Sequence, residues 1–93
     1  MEANAESINF ILIFFSFNKM SVAGLITRIP ELEPIAIKNE IGRNDIPRLR
    51  GVLLTLSSYK PVLYNEIVRK IRSLPKRSIP LGIRDLELTR EDL

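Results

Sequence analysis

Apolar residues recur at helical spacing through the middle of the chain. Ile46, Leu49, Leu53 and Leu56 follow one another at intervals of three and four, with Val52 beside them, so they form one stripe on a helix. Asn44 or Asp45 stands where a capping side chain belongs, and Pro47 is tolerated in a first helical turn. These signals predict a helix over residues 46–58. Pro61 drives Lys60 out of helical geometry, so Tyr59-Lys60-Pro61 predicts a turn. Leu63, Ile67, Ile71 and Leu74 then make a second stripe, predicting an antiparallel helix over residues 62–73 that ends at Pro75. Glu66 and Lys70 are correctly ordered on it for an i,i+4 ion pair. Gly51 lies inside the first of these helices, where glycine costs about 1 kcal/mol relative to alanine. Close approach of a neighbouring helix is one reason for it, and chance is another.

The flanking segments carry weaker patterns. Pro34 and Gly42 bracket residues 34–41 in the manner of a helix start and stop, with Ile37 and Ile41 on one face. In residues 22–33 the order Leu25-Ile26-Thr27-Arg28-Ile29 fits neither strict alternation nor a full helical period. With Pro30 biasing Ile29 towards extended geometry, a short extended segment is expected there. Beyond Pro75, Pro80 and Gly82 predict a loop, and Ile83, Leu86 and Leu88 predict an extended strap across the two helices. Thr89 to Asp92 reads as a helix start. The fold class is therefore mostly α: a small helical hairpin or three-helix module with an extended C-terminal strap.

Composition divides the chain at Met20. All four phenylalanines (Phe10, Phe14, Phe15, Phe17) precede it. Ile8 to Phe17, INFILIFFSF, is shorter than the ~20 residues needed to span a bilayer, and Asn18 and Lys19 interrupt the longer run. Glu2 and Glu6 depart from the positive start of a secretory signal. The reading is that residues 1–19 are an apolar leader, non-native or from an upstream start, with translation beginning at Met20. A membrane-associating segment and an element packed on the body are the alternatives. Residues 20–93 then form a single small helical domain, and a cytoplasmic location is expected.

Without cysteine or histidine, the chain has no thiolate metal site, no disulfide and no imidazole for acid–base catalysis. It also lacks a Gly-rich phosphate loop and a nucleophile elbow. No catalytic, metal or cofactor residue is assigned, and the chain is not expected to be an enzyme. The net charge is +3, which admits nucleic acid or an acidic protein surface as partner.

The segment RLRGVLLTLSSYKPVLYNEIVRKI, Arg48–Ile71, resembles the first two helices of winged helix–turn–helix domains. That resemblance implies DNA binding, although Pro75, Pro80 and Gly82 leave no evident recognition helix after Leu74. Asn65, Arg69 and Arg72 fall four and three apart, as on one polar helix face, followed by Lys76. Asparagine pairs with adenine edges, and arginine with guanine edges or phosphates. Arg69, Lys70, Arg72, Lys76 and Arg77 together form a basic cluster suited to phosphates. An ordinary solvated face, with cations at a helix C-terminus, is the plain alternative.

In the tail, Leu86, Leu88 and Leu93 alternate with charge and are candidates for docking a partner protein. The expected function is a non-catalytic accessory subunit of a nucleic-acid machine concerned with replication, transcription or the ribosome. Its partners would be DNA or RNA and a larger protein or nucleoprotein complex, with self-association possible through apolar surface left uncovered. Alternatives are a stand-alone helix–turn–helix regulator, a protein–protein adaptor, or a membrane-associated small protein should residues 8–17 be native.

Overall fold

The computed structural model describes residues 19–90. In chain order they form α1 (Val22–Arg28), α2 (Leu32–Lys38), α3 (Ile46–Tyr59), α4 (Pro61–Arg72), a 3-10 turn (Lys76–Ser78) and α5 (Leu81–Arg84). The fold is mostly α, with a helical hairpin at its centre and an extended strap after α5. The leader reading and the predicted helix start at Thr89–Asp92 lie largely outside the described residues.

The central pair forms where the stripes predict it. Asp45 caps α3 by accepting the Arg48 N–H at 3.1 Å, which satisfies one of the orphan donors of the first turn. Leu49 and Leu53 are fully buried, while Ile46 and Leu56 pack at the edge of the same cluster. On α4, Tyr64, Ile67, Val68 and Ile71 are buried. Lys60 alone separates the two helices and is at once the last cap of α3 and the first of α4.

Two flanking expectations are corrected. Residues 22–28 are helical rather than extended. Ser21 caps α1, its hydroxyl accepting the Gly24 N–H at 3.1 Å. Val22, Leu25 and Ile29 face the core at spacings of three and four, a helical period hidden by the partly buried Ile26. Ile29, before Pro30, does leave helical geometry, at φ −130° and ψ 84°, and the helix ends there. The second helix starts at Leu32, two residues before Pro34, which is accommodated because a first-turn N–H needs no intrahelical partner.

The core face of α2 is Leu32 and Ala36, whereas Ile37 is 69% exposed. Gly42 is not the stop. The chain turns at Glu40, φ 52°, with Ile41 N–H bonded to Ala36 O at 2.9 Å and Glu40 N–H to Ile37 O at 3.2 Å. This is the paired closure of a Schellman motif, with glutamate where glycine is favoured.

The strap runs back along α4. Arg72 Nη2 donates to Leu86 O at 2.9 Å, Tyr64 Oη to Glu87 O at 2.7 Å, and Asn65 and Thr89 exchange two bonds. From Leu86 to Thr89 an extended chain covers about 10 Å. From Arg72 back to Asn65 a helix covers about 10.5 Å. The two segments therefore stay in step. Burial pushes the Tyr64 phenol above its ordinary value, keeping it a donor across the physiological range. Below α5, Arg50 donates to Gly82 O at 2.5 Å and to Asp85 at 2.6 Å, tying the start of the strap to α3.

A Cβ built on Gly51 meets nothing within 4 Å, so no neighbouring helix accounts for this glycine. Gly51→Ala is expected to raise Tm by several degrees, from up to ~1 kcal/mol of helix propensity. Glu40→Gly is expected to do the same by relieving the left-handed backbone, by roughly 0.5–1 kcal/mol. Scanning calorimetry on both variants checks this, and a lowered Tm in either would contradict the corresponding account. Asn65→Ala should cost about 1–3 kcal/mol by orphaning Thr89, read as a fall in the urea midpoint together with faster amide exchange at residues 86–89.

Candidate nucleic-acid interface

The basic cluster gathers where α4 ends. Ser73 closes the helix, its N–H reaching Arg69 O and Lys70 O at 3.1 and 3.2 Å and its hydroxyl donating to Lys70 O at 2.7 Å. Pro75 then starts the 3-10 turn that carries Lys76 and Arg77, and Ser78 Oγ closes that turn on Pro75 O at 2.7 Å. The turn is pinned to the start of the described chain by Met20 N–H on Ser78 O at 2.9 Å and Lys19 Nζ on Arg77 O at 3.1 Å. Lys19 thus joins the cluster from a distant point in sequence.

Arg69, Lys70, Arg72, Lys76 and Arg77 are all exposed, and cations in a last helical turn are favoured by the helix dipole. They are not equally engaged. Lys70, which by spacing follows Glu66 on its own helix, contacts Glu31 at the start of α2. The Arg72 guanidinium holds the strap at Leu86 O, and Arg69 and Arg77 also have interaction partners. The hydrogen bond from Lys70 holds the Glu31 carboxyl below its ordinary value. The second Glu31 oxygen, Oε1, is buried without a hydrogen-bond partner.

Asn65 stands apart from the group predicted for it. Its side chain is 0% exposed, with Nδ2 donating to Thr89 Oγ1 at 2.9 Å and Oδ1 accepting the Thr89 N–H at 2.8 Å. The polar face expected from its four-residue spacing to Arg69 is therefore corrected: Asn65 is covered by the strap and turns no edge to solvent.

The tail leucines are corrected in the same way. Leu86 is buried and Leu88 packs partly buried against the core, so the core takes up the first and part of the second. Leu93 lies outside the described residues. Among the described residues there is no cluster of potential metal ligands and no helix long and apolar enough to cross a membrane.

A second feature lies away from the basic end. An open apolar trough of about 620 Å³ runs between α2 and α3 and is bounded by the start of α4. Nothing in the sequence pointed to it, because it depends on how α2 is placed beside α3.

No protein-family model, no curated protein sequence and no solved structure matches this chain.

The depressed Glu31 carboxyl has a pH consequence. A carboxyl lowered in the folded state contributes stability above its unfolded value, near pH 4.3, and loses it as pH falls through the folded value. The urea midpoint of the wild type should exceed that of Glu31→Gln at about pH 6, and the gap should narrow as the pH falls below the ordinary carboxylate value. A gap independent of pH would rule out the Glu31–Lys70 contact as its source.

Proposed function

We propose that this protein is a non-catalytic accessory subunit of a nucleic-acid machine, and that the end of α4 contacts phosphates. The observation that carries the reading is the gathering of Arg69, Arg72, Lys76 and Arg77, all exposed, around one helix end, with Lys19 brought in beside them. Arginine's planar fork suits phosphate oxygens, and a cluster of such contacts binds backbone without reading sequence. Burial of Asn65 removes the side chain that would have read base edges, which favours this reading over a stand-alone sequence-specific regulator.

Fluorescence anisotropy with the full chain tests it, using two labelled oligonucleotides of unrelated sequence across a salt series. Both are expected to bind alike, with log K falling linearly in log salt at a slope near −0.9 per phosphate neutralised. Lys76→Ala with Arg77→Ala should make the slope shallower by about two contacts. Absence of binding at low salt, or a strong preference for one sequence, would overturn the reading.

A further inference from the structure

The trough between α2 and α3 is built like a seat for a helix. Its α3 wall is Gly51, Val52, Thr55, Leu56 and Tyr59, and its α2 wall includes Pro34, Ile35 and Lys38. Both sets repeat at helical spacing, so each wall is a continuous stripe along its own helix. Facing stripes of this kind are what a third helix packs into. Two turns of a helix ~10 Å across occupy roughly 850 Å³, so a trough of about 620 Å³ receives most of one helical face.

Three further observations define the occupant. At Gly51 there is open space where a side chain would stand, which lets a crossing backbone approach closely. Tyr59, 78% exposed, extends the apolar wall into solvent at one end. The rim is cationic: among the described residues Lys38 and Lys60 line it with no acid of their own, whereas Glu31, the acid on the walls, is paired with Lys70. An apolar seat with two uncompensated cations complements an apolar stripe flanked by carboxylates.

We propose that this trough docks an amphipathic helix of a partner protein, one whose apolar stripe is bordered by Asp or Glu. It is the contact by which the module attaches to a larger protein. None of Arg69, Arg72, Lys76 and Arg77 lines the trough, so the protein contact and the phosphate contact can fail independently.

The test uses the full chain and a designed peptide. The probe is a fluorescein-labelled amphipathic helix of about 18 residues, long enough to hold helix on docking, with Leu at i, i+3, i+4 and i+7 and Glu beside them. Its twin carries Lys in place of each Glu. The acidic peptide is expected to bind in the low-micromolar range and at least about tenfold tighter than the twin. Gly51→Leu fills the trough at a position with room for it, and should weaken the acidic peptide about tenfold or more while leaving oligonucleotide binding unchanged. Lys60→Glu, an exposed change, should erase the preference between the two peptides.

Lack of saturation at about 100 µM, equal binding of the twins, or indifference to Gly51→Leu would overturn the proposal. So would a dimer in sedimentation that Gly51→Leu dissolves, which would assign the trough to a second copy. Peptide binding seen only after Phe14→Ser and Phe15→Ser would also overturn it, by assigning the trough to this chain's own leader.

Discussion

Asn65 is a primary amide in the core of a small protein, and burying such a group unpaired costs about 1–3 kcal/mol by mutational measures. Total stability for a domain is only about 5–15 kcal/mol, so the cost would consume a large share of it. Thr89 removes it by supplying an acceptor and a donor at once. To bring Thr89 there the chain must leave α5 extended and lie along α4, which lets Tyr64 and Arg72 take the intervening carbonyls. Leu86 and Leu88 are carried onto the core by the same path. The strap is thus held by one reciprocal amide pair, two carbonyl bonds and two leucines, all referred to a single helix.

The excess of arginine over lysine is partly structural. Arg48 places two donors on Asn39 O at 2.9 and 3.1 Å, Arg50 takes Gly82 O and Arg72 takes Leu86 O. Arg48 and Arg72 each join a helix to the carbonyl of a connecting segment, and Arg50 joins α3 to α5, tasks for which a rigid multi-donor fork is better suited than an ammonium. Arg72 thus belongs both to the bonds that hold the strap and to the cluster at the end of α4.

What was legible in the sequence follows the range of the interactions. The central helices were readable because stripe, cap and proline agree within a few residues of one another. The effect of Pro30 on Ile29 was readable because it acts on the adjacent residue. The helix before it was not: two adjacent apolar residues, Leu25 and Ile26, blurred a period that only burial of Val22 and Ile29 makes plain. That Arg69, Lys76 and Arg77 stand exposed around one helix end was legible from their spacing. Asn65 was misplaced because its partner stands twenty-four residues further on. The partner of Lys70 and the neighbour of Arg77, Glu31 and Lys19, are more distant still. The trough was invisible because neither of its walls is unusual until the two are set side by side.

The strap also fixes an order of events during synthesis. The hairpin of α3 and α4 closes through near neighbours and can form as soon as Arg72 is free of the ribosome, whereas Asn65 waits for a residue made much later. Until then α4 has a completed helix and an uncovered flank. The last contacts made are thus those of the strap with α4. A molecule shortened past Thr89 would keep its helices and lose the cover over them, becoming a persistent copy of its own nascent state.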